Sequence, residues 1–322
     1  MYLFLTSIIQ FFLYYFLFKY KKWPITKLPN SSIEHAVKKD ICYSSLGVVF
    51  GSIIVLNAYI INIIDIKLLI ILISLITFGF IDDKINFNIY FKIFFYSFVS
   101  LLIGLYCNKL SFFSKILINE NIITLLIIIL CFYFINAYNF LDGLDGYLAL
   151  NYLFFILFYF IILFNVNGSI NIQSLLSLTL PVLIFLYFNL KKICMMGDSG
   201  SILLGCFVFL LNINILIHQY YIEFLIINIY LFSDVSITLC MRIWNRKKIT
   251  SRLFDYFFLK PVLKNNKTHD FVFKIFFIYN ITIFASLLTS LYASKIIGLA
   301  LSIITTIIYL LFLSGKILKH NK

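Results

Sequence analysis

Acidic side chains are scarce in this sequence: 13 Asp and Glu stand against 26 Lys and Arg in 322 residues, and only 12% of positions are charged. So few charges cannot cover a water-exposed globule of this size. No internal repeat, long polar linker or separate soluble basic domain is visible, which excludes a nucleic-acid-binding module. The six cysteines (Cys42, Cys107, Cys131, Cys194, Cys206, Cys240) form no CxxC pair. They read as small buried hydrophobes and not as zinc ligands or disulfides.

What fills the space is apolar: 62% of the residues are hydrophobic and 19% aromatic, with mean hydropathy +1.02. Eleven apolar runs, near 2–20, 41–61, 66–81, 89–107, 121–139, 147–166, 172–189, 200–217, 222–240, 271–291 and 295–314, are long enough to cross a bilayer as helices. A membrane barrel would show short alternating segments instead. The pattern predicts an all-α polytopic membrane protein of 10–11 spans, with residues 1–322 as one domain. The first run lacks a charged leader and a small-residue cleavage site, so it reads as a retained span. Of the odd-numbered loops (about 21–40, 82–88, 140–146, 190–199 and 241–270), all but 140–146 carry Lys or Arg, and together with the C-terminal tail they hold most of the basic residues. The positive-inside rule then puts those loops and the C-terminus in the cytoplasm and the N-terminus outside. The net charge of +13 belongs mostly to that face, as a topology signal and an attraction for anionic headgroups or a phosphorylated substrate.

The scarce polar motifs fall on the same face. Asp82-Asp83 closes the third run; carboxylates there are either solvated at a helix end or supply a base or hold a metal-bound phosphate. Asn136-Ala-Tyr-Asn139-Phe-Leu-Asp142-Gly143-Leu-Asp145-Gly146 lies between two apolar runs. Asn136 and Asn139 share a helical face, as Asp142 and Asp145 do if the helix continues. An Asx-capped turn needs one or two such residues, not four at regular spacing. Like charges this close repel unless a cation, an arginine or a shared proton compensates, and carboxylate and amide oxygens suit Mg²⁺. Gly197-Asp198-Ser199-Gly200-Ser201 opens the eighth run, where a helix start suits an anion such as a diphosphate. Asp234, Thr238 and Arg242 follow at four-residue steps inside the ninth run. An ionisable group there is either functional or one half of a buried Asp–Arg pair. His35 and His269 lie in the same set of loops, while His218 and His320 carry no assigned role.

Together these motifs resemble the polyprenyl-phosphate N-acetylhexosamine-1-phosphate transferases of glycosyltransferase family 4. That family includes undecaprenyl-phosphate GlcNAc-1-phosphate transferases and the phospho-MurNAc-pentapeptide translocase. Pro29-Asn30 with His35 resembles a PNxRSSH element in which Ser32-Ile33-Glu34 replaces Arg-Ser-Ser. Phe80-Ile81-Asp82-Asp83 is similar to the DD motif, and Asn136–Gly146 to NxxNxxDGxDG without a gap. Asn189 with Met196–Ser201 and Leu204-Gly205 is similar to NxxP…MGDxGSxxLG, a lysine replacing the proline. The ninth loop departs: where the family carries a histidine motif, this chain reads Ser251-Arg252-Leu-Phe-Asp255, and its one histidine, His269, comes later.

The resemblance implies transfer of an amino-sugar phosphate from a UDP-amino sugar to polyprenyl phosphate, releasing UMP. It implies a multi-pass protein of the bacterial plasma membrane, possible homodimers, no nucleic-acid partner, and Mg²⁺ (or Mn²⁺) as cofactor. The product would begin a cell-surface polysaccharide such as O-antigen, teichoic acid or capsule. By the same resemblance Asp198 is the principal metal ligand with Asn139 or a neighbouring Asp helping, and Asp82 or Asp83 orients or deprotonates the lipid phosphate. Asp142 and Asp145 hold the nucleotide, and Arg242 and Arg246 the diphosphate or sugar. Asn136, Gly143, Asn189, Gly197, Ser199, Asp234 and His35 complete the substrate-binding set. The absent histidine triplet speaks against the pentapeptide translocase, and the divergent loop points to a different amino sugar. A secondary transporter places its site near the bilayer midplane, often between repeats, unlike these one-sided clusters. An inactive scaffold has only the altered ninth loop in its favour.

Overall fold

The computed structural model describes residues 2–20, 26–27, 42–108, 120–168, 171–247 and 255–315. Each apolar run coincides with one helix: α1 (Tyr2–Lys19), α2 (Gly47–Ile60), α3 (Ile66–Ile85), α4 (Ile89–Asn108), α5 (Glu120–Leu141), α6 (Tyr147–Asn167), α7 (Ile172–Leu190), α8 (Asp198–Ile217), α9 (Tyr221–Trp244), α11 (His269–Tyr292) and α12 (Lys295–Leu313). A 3₁₀ turn (Phe257–Leu259) leads into the short α10 (Lys260–Asn265). Among the described residues, β structure is confined to a two-residue antiparallel pairing of β1 (Thr26–Lys27) with β2 (Cys42–Tyr43) and a bridge between Tyr43 and Cys194. Among the described residues, eight helices are long and apolar enough to cross a membrane; α1 and α2 contribute shorter apolar stretches.

Several boundaries differ from the hydropathy reading, each for a local reason. The second run does not become helical until Gly47, because residues 43–47 run beside the segment before α8. There Tyr43 N–H donates to Ile193 O (3.0 Å), Met195 N–H to Tyr43 O (2.7 Å) and Gly47 N–H to Met196 O (3.0 Å). In the other direction, α3 continues through Asp82 and Asp83 and α9 through Arg242. These polar side chains are buried with partners, so the helix does not stop where hydropathy does. Of the cysteines, Cys240 is exposed, contrary to the reading that all six are buried.

Helix α8 sits at the centre: 78% of its span is buried, against 28% for α4. Lipid tails offer no hydrophobic drive between helices, so close approach relies on small residues. A Cβ on Gly205 would meet Phe134 O at 2.6 Å, which brings α8 directly against α5. A Cβ on Gly79 would lie 2.5 Å from Ser199 Cα, and one on Gly47 would strike the backbone of Gly200. The ends of α3 and α2 therefore touch the first turn of α8 backbone to backbone. Gly79→Ala is expected to cost about 1–3 kcal/mol through overpacking, read as a lower unfolding temperature in detergent; an unchanged temperature would refute this contact. Pro181 in α7 leaves the Ser177 carbonyl without its helical partner, and Asn57 Nδ2 of α2 fills the vacancy at 3.0 Å.

Candidate active site

At one end of the bundle, three helix termini bring carboxylates together. Asp82 and Asp83 close α3 and are 1% and 5% exposed; Asp198 opens α8. The Lys92 ammonium, from the first turn of α4, forms an ion pair with Asp82 and lies 3.1 Å from Asp198 Oδ2. Asp82 Oδ1 also accepts the Phe87 N–H at 2.9 Å, which fixes the carboxylate where the chain turns from α3 into α4. Ser45 Oγ donates to Asp83 Oδ2 at 2.5 Å. Gly197 caps α8 with φ 73°, in the left-handed region that favours glycine. A side chain there would run into Asp83 and the backbone of Ser45. Ser199, fully buried, lies in the same first turn as Asp198.

The Asn136–Gly146 run joins this cluster through α5. Ser201 Oγ, one helical turn beyond Asp198, donates to Asn139 Oδ1 at 3.2 Å. Asn136 spends its amide nitrogen on Phe132 O (2.8 Å) within its own helix. The helix stops at Leu141, so Asp142 and Asp145 do not share a helical face; they lie in a turn closed by Gly146 at φ 76°. The helical continuation is thus corrected: two glycines within four residues end α5, and the turn is secured from outside. Gly146 N–H donates to Asn189 Oδ1 (2.5 Å), and Asn189 Nδ2 donates to Cys194 O (2.6 Å), tying the turn to the segment that leads into Asp198.

His269 is the residue the sequence reading undervalued. It starts α11, is 6% exposed, and places Nδ1 2.8 Å from Asp145 Oδ2 and 3.2 Å from the Asp145 backbone nitrogen. The Asp145 backbone N–H donates to Nδ1, so the ring fixes the backbone of the turn and sits against its carboxylate. Lys92 was missed altogether, although it is the sole charged residue of α4, and an ionisable group in an apolar helix is a functional signal by itself. Ser45 carried no sequence signal.

A third group adjoins the turn. Asp234 is fully buried in α9. Its Oδ1 accepts the Phe257 N–H (2.9 Å) and the Thr238 hydroxyl (3.3 Å); its Oδ2 accepts the Phe258 N–H (3.2 Å) and the Tyr230 hydroxyl (2.6 Å). Arg242, 2% exposed, holds its guanidinium 4.9 Å over the Tyr256 ring. Arg246 is exposed just past α9. Gly143 packs under Phe258 and Leu259. His35, with Pro29-Asn30, and the Ser251-Arg252 stretch lie outside the described residues.

Long apolar helices with acidic, amide and cationic side chains gathered at their shared end define an integral membrane protein with a polar site at the bundle mouth. Residues 66–216 match the family model of glycosyl transferase family 4. The matched segment holds Asp82, Asp83, Lys92, the Asn136–Gly146 run and Asp198. The chain is similar to a phospho-N-acetylmuramoyl-pentapeptide-transferase of Dictyoglomus turgidum, 31% identical over 127 residues. That alignment covers 38% of this chain and 41% of the relative.

Proposed function

We propose that this protein transfers an N-acetylhexosamine phosphate from a UDP-sugar to polyprenyl phosphate, giving a polyprenyl diphospho-sugar and UMP at the cytoplasmic face of a bacterial plasma membrane. The observation that carries the reading is the meeting of Asp82, Asp198 and Lys92 at one point, inside a glycosyl transferase family 4 segment. In this reading α1–α9, α11 and α12 all span the bilayer, the shorter α1 and α2 included, with the N-terminus outside.

The donor set fits Mg²⁺, with Mn²⁺ as a substitute. Two carboxylates already focus on one cationic group, and the amide oxygen of Asn139 faces the next turn of α8. Among the described residues no three His, Cys, Asp or Glu side chains form a ready-made cage. Mg²⁺ does not require one, since it takes one or two carboxylates and completes its shell with water and substrate phosphates. When bound, it would neutralise charge on the diphosphate. Asp198 would be its principal ligand, with Asp82 and Asn139 beside it.

The remaining steps fall to the chain. Transfer of this kind is mainly positioning and charge stabilisation. Lys92 supplies a fixed positive charge beside the diphosphate. Asp83, held by Ser45, orients the lipid phosphate or takes its proton. Asp145, braced by His269, and Asp142 hold the nucleotide from the turn, while Arg242 and Arg246 face the sugar side.

The test is UMP release by purified protein supplied with undecaprenyl phosphate and, separately, UDP-N-acetylglucosamine, UDP-N-acetylgalactosamine or UDP-N-acetylmuramoyl-pentapeptide. Release with an N-acetylhexosamine donor, stopped by EDTA and restored by Mg²⁺, is expected. Turnover of the pentapeptide donor alone would support the second reading, which the Dictyoglomus turgidum similarity favours. No release from any donor would sink both.

A further inference from the structure

The carboxylate of Asp234 has four donors and no exposure, which is more than a solvated or substrate-facing group can have. Two of those donors are successive backbone N–H groups, Phe257 and Phe258, at the start of the 3₁₀ turn where the chain returns to the bundle. Such N–H groups have no partner within their own turn, and a carboxylate accepting both acts as a cap supplied from another helix.

The capped turn lies against the acidic run. Tyr256 stacks on Phe140 (centroids 5.4 Å apart), and Phe258 stacks on Tyr147 (5.0 Å). A Cβ on Gly143 would meet Leu259 at 3.2 Å and Phe258 at 3.3 Å. A hydroxyl relay closes the loop: Tyr147 donates to Tyr230 at 2.6 Å, and Tyr230 to Asp234. Tyr147 directly follows Gly146, so both ends of the Asp142–Gly146 turn are tied to Asp234, one through ring packing and one through hydrogen bonds. Arg242, two turns along α9, is aligned by the Tyr256 ring that the same clasp holds in place.

We infer that Asp234 is a positioning residue: it clasps residues 256–259 onto the Asp142–Gly146 turn and thereby sets where Asp142, Asp145 and Arg242 stand relative to the nucleotide sugar. This rests on the transferase reading above. It also reassigns Asp234 from substrate contact to support.

Asp234→Asn keeps the shape but loses the charge and one acceptor, so charge-assisted bonds to the two N–H groups weaken. In full-length protein, hydrogen exchange read by mass spectrometry should show the peptide containing Phe257 and Phe258 losing protection, with α8 peptides unchanged. In the UMP-release assay with UDP-N-acetylglucosamine and undecaprenyl phosphate, KM for the nucleotide sugar should rise about tenfold or more, the equivalent of one charge-assisted hydrogen bond, with kcat falling less. Tyr230→Phe, which removes the relay but leaves both N–H bonds, should give a smaller rise in KM. A merely structural role would lower the yield of folded enzyme and leave KM where it was. Unchanged exchange at Phe257 and Phe258, or an unchanged KM in active Asp234→Asn protein, overturns the inference. Wild-type protein with no turnover of any donor overturns the transferase reading instead, and the exchange result still decides whether the clasp exists.

Discussion

Asp198→Asn is expected to reduce UMP release by about a hundredfold or more while leaving the protein folded. Asp198 is half-buried at the first residue of α8, where the carboxylate shares Lys92 with Asp82. If the site gathers a cation and a diphosphate, as proposed above, losing one anionic ligand removes several kcal/mol of charge stabilisation, and each 1.36 kcal/mol is about a tenfold change in rate. The amide matches the carboxylate in size, and Gly197 still caps the helix, so circular dichroism and thermal unfolding should be close to wild type. Turnover within about twofold of wild type, at saturating Mg²⁺, would remove Asp198 from the centre of the site.

Lys92→Met carries the second large effect, and it is one of stability. The side chains of Lys92 and Asp82 are 12% and 2% exposed, and that of Asp198 is 18% exposed. Removing the ammonium leaves two carboxylates facing each other away from water. Breaking a buried ion pair from one side costs about 3–5 kcal/mol, because the surviving charge has no partner. Here the survivors are two like charges, so a cation should restore what lysine supplied. The variant is therefore expected to unfold at a markedly lower temperature in EDTA and to recover most of the difference in millimolar Mg²⁺. Wild-type protein, with Lys92 already present, should respond much less. A variant as stable as wild type in EDTA, or one indifferent to Mg²⁺, would show that the three groups are not the electrostatic unit their geometry describes.

The architecture was legible because long apolar runs have one main solution in a bilayer, an internally hydrogen-bonded helix. The acidic positions were equally visible, since charge is rare in this chain. Their partners were not. Lys92 stood alone in an apolar run, and only the fold shows that its ammonium reaches two aspartates from other helices. His269 read as a loop residue because nothing in the sequence links it to Asp145, 124 positions away. Asp142 and Asp145 were spaced for a helix, but Gly143 and Gly146 end it, and local spacing cannot register a turn held from outside by Asn189. Asp234 stood out in the sequence as an ionisable group inside the ninth run. Its accepting two backbone N–H groups from a turn more than twenty residues later is a tertiary fact.

The glycine contacts at Gly47 and Gly79 have a bearing on how such a site can diversify. Where backbone meets backbone, no side chain remains whose size can be tuned, so the half of the mouth that holds Asp82, Asp83 and Asp198 behaves as a fixed jaw. The opposite half, residues 256–259, is seated by side-chain rings and one carboxylate. That jaw can be reshaped one substitution at a time without disturbing the first. On the proposed transferase reading, new donor specificities should therefore arise on the Asp234 side, while the phosphate chemistry stays where the helices lock.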